Sequence, residues 1–136
     1  MAEDAIAELR SMPKTKRKTE RYNELLLATL MMQQSWAEAA DTAQWLCGKN
    51  EKETAYFIHA AYCMHETGDT LAALRFLMNG PKSLLDEPLY HYNMACYHAM
   101  LDQPEPALYA LRRSFELDPE LREVAENDED LDSLEF

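Results

Sequence analysis

"YHYNMACYHAMLDQPEPALYALRRSFELDP", residues 90–119, places His91, Cys96 and His98 in one segment of helical character. Either the three side chains form a metal or catalytic cluster, or the segment is one copy of a unit that the chain repeats. Its neighbours favour the repeat. "PEPALYALRRS" at 104–114 aligns with "TLAALRFLMNG" at 70–80 and with "WAEAADTAQWL" at 36–46. The fourth position of each is alanine, and Ala39, Ala73 and Ala107 are 34 residues apart at each step. Tyr22, Tyr56 and Tyr90 keep the same step. So do Leu27, Ala61 and Ala95, and Leu30, Met64 and His98. Leu46, Gly80 and Ser114 follow it too, with Leu46 large for an otherwise small set.

One recurring position is chance, whereas a tyrosine triple, an alanine triple and several apolar triples in phase make a repeat. With Glu20, Thr54 and Pro88 as first positions, the units run 20–53, 54–87 and 88–121. This period, with two helices to a unit, resembles the tetratricopeptide repeat (TPR) family over about residues 20–121. The third unit carries the pattern best. Asn93, Met94 and Ala95 fill its Asn-Leu-Gly slots, Ala107 its small crossing slot, Ser114 a second small slot, and Pro119 closes it. Ala60, Ala61, Gly68, Asp69, Ala73 and Gly80 match in the second unit, and Trp36 and Ala39 in the first. Three departures stand out: Gln34 replaces the turn glycine of unit one, Glu51 replaces its closing proline, and unit two breaks early at Gly80-Pro81.

The resemblance implies an all-α fold, a right-handed α-solenoid of three TPR helix pairs with a C-terminal capping segment. Close approach of antiparallel helices needs small side chains at their crossing, which Ala39, Ala73 and Ala107 supply. Gly68-Asp69 and Asp102-Gln103-Pro104 are turn chemistry between paired helices. No unit buries its apolar face alone, so three must stack. Helices are expected over 3–11, 19–33, 36–48, 53–66, 70–79, 88–101 and 104–116, with a capping helix at 119–126. The chain divides into an N-terminal helix and basic linker at 1–18, repeats at 19–121, and an acidic cap and tail at 122–136.

Composition agrees with an all-α protein. The apolar fraction is 47 % and there are only 3 Gly; Ala, Leu, Met and Glu favour helices and β-branched residues are sparse. The net charge of −12 excludes a general nucleic-acid binder, which needs surplus Lys and Arg on phosphates. Six basic residues fall within 10–21 and ten acidic ones within 116–136. That asymmetry fits a solvated arm and tail, or end-to-end pairing of two copies. The longest apolar run, "LLLATLMM" at 25–32, is too short to span a bilayer. The N-terminal stretch lacks an apolar core for a secretory signal. Cys47, Cys63 and Cys96 are odd in number and spaced unlike a CxxC pair, so a reducing cytoplasm and free thiols are expected.

In the family the first helix of each unit lines the concave groove. Carried over, the groove slots hold Glu24, Met31 and Met32 in unit one, with Arg21, Leu25 and Ala28. Unit two gives Ile58, His59, Tyr62, His65 and Glu66, with Ala55. Unit three gives Tyr92, Asn93, Cys96 and Met100, with Leu89 and Ala99. For Leu25, Ala28, Met31 and Ile58, core packing and ligand contact both stand as readings. The resemblance implies a non-enzymatic module that holds a peptide or helix of a protein partner in this groove, as a small chaperone or adaptor. The slots lack the Lys, Arg and Asn clamp with which related domains grip acidic chaperone tails; only Asn93 fits it. Met and Tyr there suit an apolar segment. The alternative is a self-assembling structural protein, a homodimer for example.

The opening cluster then reads as repeat filling. His91 and His98 lie about 10 Å apart along a helix, and Cys96 is rotated off their face. His59 and Cys63, four residues apart, form a better chelating pair with Cys96 as a third ligand, but no carboxylate completes the set. No oxyanion hole or orienting acid marks a Cys–His nucleophile. Neither a catalytic residue nor a metal or cofactor is expected.

Overall fold

The computed structural model describes residues 2–13 and 19–136, so most of the basic linker expected before the repeats lies outside the described residues. All regular structure among the described residues is helical. The helices are α1 (Ala2–Arg10), α2 (Glu20–Met32), α3 (Trp36–Lys49), α4 (Thr54–Glu66), α5 (Thr70–Met78), α6 (Pro88–Met100), α7 (Pro104–Leu117) and α8 (Leu121–Glu126). Short 3₁₀ turns occupy Lys82–Asp86 and Glu129–Leu131. From α2 to α7 each helix packs on the next, α1 lies on α2, and α4 also meets α6.

The starts of these helices keep a fixed step. Glu20, Thr54 and Pro88 open α2, α4 and α6 at intervals of 34 residues, and Trp36, Thr70 and Pro104 open α3, α5 and α7 at the same interval. The starts are set by local chemistry. Thr19 Oγ1 accepts from the Tyr22 N–H at 3.1 Å and Asp69 Oδ1 from the Ala72 N–H at 3.0 Å, each satisfying an orphan donor of a first turn. Pro88 and Pro104 sit at first-turn positions, where the missing N–H costs nothing.

The ends of α2, α4 and α6 also repeat. Gln34, Gly68 and Asp102 follow them in the left-handed region, with φ of 59°, 97° and 57°. The next N–H reaches back five residues each time, Ser35 to the Leu30 carbonyl at 2.9 Å, Asp69 to Met64 at 3.2 Å and Gln103 to His98 at 2.9 Å. The left-handed residue itself donates to Met31, His65 or Ala99. This is one Schellman turn built three times. Gln34 therefore takes the glycine's conformation without being glycine. A left-handed residue bearing a Cβ costs about 1–2 kcal/mol, partly offset by lower entropy in the unfolded chain. Gln34→Gly is expected to stabilise the protein by about 0.5–1 kcal/mol, read as a higher urea midpoint at unchanged slope. A lower midpoint would mean that the glutamine side chain makes contacts worth more than the strain.

The core runs the length of the helix stack. Ala39, Ala73 and Ala107 have no exposed surface, and Leu30, Leu46, Leu77, Leu84 and Leu111 are all but fully buried. Each such leucine contributes about 1.5–3 kcal/mol relative to exposure. The early break of the second unit has a packing cause. A Cβ on Gly80 would stand 2.5 Å from Leu84 Cδ1 and 3.3 Å from the Leu77 carbonyl oxygen, so a larger residue there makes the buried Leu84 side chain shift. Helix α1 is held by buried Ile6 and Leu9, and the Tyr22 hydroxyl donates to the Leu9 carbonyl at 2.6 Å. The Arg10–Glu38 ion pair at 2.5 Å is solvent-exposed and adds at most about 1 kcal/mol.

Candidate functional site

Residues of α2 and α4 line an open cleft of about 350 Å³. From α2 come Glu24, Leu27, Ala28 and Met31, and from α4 Ala55, Tyr56 and His59, with Glu53 at the entry to α4. Five of the expected groove residues, Glu24, Ala28, Met31, Ala55 and His59, thus come together. The apolar floor follows from helical spacing, since Leu27, Ala28 and Met31 lie three and four residues apart. The rim is anionic. Glu24 accepts a short hydrogen bond from the Tyr56 hydroxyl, and Glu20 accepts from Asn50 Nδ2 at 2.9 Å. Burial, then the neighbouring Glu24 and Glu20 carboxylates, raise the Tyr56 pKa, so this phenol stays a donor. His59 reaches solvent, yet the surrounding cleft wall desolvates its ring and lowers its pKa, so it is neutral at pH 7.

The remaining expected residues divide between open surface and a covered region. Met32 is 79 % exposed at the end of α2, and Met100 projects from the end of α6. Ile58 is half-buried against the core. Tyr62 meets the edge of Trp36 at 5.6 Å between ring centroids. His65 Nδ1 lies 2.9 Å from Thr70 Oγ1 and its ring lies against Tyr97. Glu66 is exposed and Asn93 half-buried.

Tyr92 and Cys96 are buried because the C-terminal segment lies over α6. The Tyr92 hydroxyl donates to Asp128 Oδ2 at 2.6 Å, and Cys96 Sγ approaches the same oxygen at 3.8 Å. Asp128 Oδ1 accepts from the Asp130 N–H at 3.0 Å, fixing the 3₁₀ turn that carries the buried Leu131. Beyond it Leu134 is buried and Phe136 lies against Phe115, with the Arg122 guanidinium near both rings. Partial burial and the Asp128 charge raise the Asp130 pKa, His65 opposes this, and Glu66 and Glu129 add to it. Ionising Asp130 therefore works against docking. Its contribution is complete below its unfolded pKa and is lost as pH rises through the folded one.

Cys96, Asp128 and Asp130 bring one ligand atom each within 4.8 Å of one another, the grouping that forms among the described residues instead of His59, Cys63 and Cys96. Both Asp128 oxygens are already engaged by Tyr92, Cys96 and the Asp130 N–H, and burial raises the thiol pKa. The chemistry of the cluster is that of a hydrogen-bonded clasp. Cys63 is fully buried, its pKa pushed up to about 11, while His59 faces the cleft. His91 is buried with Nε2 2.8 Å from the Leu85 carbonyl, and His98 Nδ1 lies 2.7 Å from Gln103 Oε1. Each histidine of the opening stretch thus has its own local partner.

Sequence reasoning left out Leu27, Glu53 and Tyr56 as lining residues. Leu27 and Tyr56 had been absorbed into the repeat pattern, and Glu53 precedes its helix. The usable signal was their adjacency to slots already named. No helix among the described residues is long and apolar enough to cross a membrane. No family model matches the chain, and neither a curated protein nor a solved structure matches it.

Proposed function

We propose that the chain is a non-enzymatic TPR interaction module of the cytoplasm. Its three helix pairs, 20–53, 54–87 and 88–121, form a right-handed α-solenoid whose groove takes an apolar peptide or amphipathic helix of a protein partner, in the manner of a small chaperone or adaptor. The observation that carries this reading is the cleft between α2 and α4, apolar on its floor and open to solvent, on a scaffold whose helix starts repeat every 34 residues. A volume of about 350 Å³ accommodates a few side chains, as expected for anchor residues of a docked helix. The C-terminal segment closes the groove over α6 and leaves the α2–α4 end as the working part.

Ala28 is exposed on the cleft floor, so Ala28→Trp fills the cleft without touching the core. In a peptide-display selection, the wild-type protein is expected to enrich helical apolar segments that Ala28→Trp does not retain, with far-UV circular dichroism showing both proteins equally helical. Enrichment of the same segments by both proteins, or of none by either, would remove the cleft from the account.

A further inference from the structure

The geometry points to a cationic amphipathic helix as the occupant of the α2–α4 cleft, its apolar side on the floor and its Lys or Arg side chains on the carboxylate rim. This rests on the cleft being a docking site and adds the chemistry of what docks. Charge complementarity carries it. The floor is Leu27, Ala28, Met31 and Ala55, and the charged groups lining the cleft are Glu24 and Glu53, while burial lowers the His59 pKa and favours its neutral form. Glu20 stands behind the same rim, near enough to Tyr56 to act on its hydroxyl. No lysine or arginine lines the cleft. Glu24 and Glu53 are exposed at the rim, where an acidic helix would meet like charge and a basic one pairs with them, and such complementarity sets specificity and on-rate. The protein's net charge of −12 draws such a segment in from a distance. Size is compatible too: α2 and α4 have 13 residues each, about 20 Å of helix, enough to flank three to four turns of a partner.

The probe is a peptide of about 14 residues made of leucine and lysine, with leucines at helical i, i+3, i+4 and i+7 positions. A second peptide has every lysine replaced by glutamate. Binding is followed by fluorescence anisotropy on the full chain. The lysine peptide is expected to bind and the glutamate peptide not. The pair Glu24→Gln with Glu53→Gln is expected to weaken the lysine peptide about five- to tenfold. A control pair removes the same charge elsewhere, Asp41→Asn with Glu105→Gln, both exposed and away from the cleft, and is expected to change affinity less than about twofold. Ala28→Trp is expected to abolish binding. If both peptides bind equally and both are lost in Ala28→Trp, the cationic occupant is wrong and the docking site stands. If the control pair weakens binding as much as the rim pair, or Ala28→Trp leaves it intact, the attraction is the field of an acidic protein and the inference fails. If neither peptide binds, it fails outright, and the display selection alone decides the docking site.

Discussion

Ala39→Leu is expected to destabilise the protein by about 3 kcal/mol, while Ala37→Leu, the same substitution two residues earlier in α3, changes stability by less than about 0.5 kcal/mol. Ala39 has no exposed surface and α3 is packed between α2 and α4, so three added carbons have no room. They must push a helix aside or take a strained rotamer, each costing about 1–3 kcal/mol. Ala37 is exposed, and there leucine gives up only a little helix propensity and meets only water. In thermal unfolding a loss of this size is a fall of about 10–15 °C for a domain of this length. Ala73→Leu and Ala107→Leu should cost the same within about 1 kcal/mol, because the three alanines share one position in the repeated packing. If Ala39→Leu behaves like Ala37→Leu, α3 does not need close approach to its neighbours. If only one of the three is sensitive, the 34-residue step of the helix starts does not extend to the way they pack.

The helix pattern was legible in the sequence because its determinants are local and occur three times. A cap or turn residue at one end, an alanine at the crossing and a tyrosine two residues into each first helix recur in phase, and each expected helix end lies within one or two residues of the observed one. Gln34 shows how far this goes. It departs from glycine, yet the turn forms as at Gly68, because the carbonyls of Leu30 and Met31 still need donors. The candidate site was half legible. The groove slots carried over from the repeat resemblance named Glu24, Ala28 and Met31, and these three do line one cleft. The fate of Tyr92 and Cys96 depends on Asp128, more than thirty residues on, in a segment that reads locally as a solvated acidic tail. No periodicity announces that contact. His59 and Cys63, weighed in the sequence as a chelating pair and set aside, part company for a related reason. An i, i+4 pair shares a helix face on paper, but the cleft edge of α4 divides that face, leaving one side chain in solvent and the other in the core.

Leu131→Ala is expected to cost about 2–4 kcal/mol and to do so unevenly along the chain. Leu131 is 1 % exposed, although it sits in a 3₁₀ turn of only three residues. Removing its buried carbons forfeits their transfer energy and leaves a cavity, together worth about 2–5 kcal/mol for leucine. A short segment held by few anchors has a cheaper response than carrying that cavity, which is to undock. The Asp128 clasp on Tyr92 and Cys96 then opens while α2 to α5 stay folded, because segments with few anchors open at lower free energy than the core. The three free cysteines make this measurable. All are buried, and burial raises their thiol pKa values, Cys47 to about 12, Cys63 to about 11 and Cys96 as well, so a thiol reagent reaches each one only through opening. A loss of about 3 kcal/mol in the opening free energy of the segment corresponds to labelling of Cys96 about a hundredfold faster. Cys47 and Cys63 should label no faster than the change in global stability allows. If all three accelerate together, the C-terminal segment is part of the cooperative core, and the face of α6 that it covers stays closed for as long as the protein is folded. If Cys96 alone accelerates, the segment is a detachable cover, and the surface that the sequence marks at Tyr92 and Cys96 becomes reachable at the cost of the Asp128 clasp and one leucine.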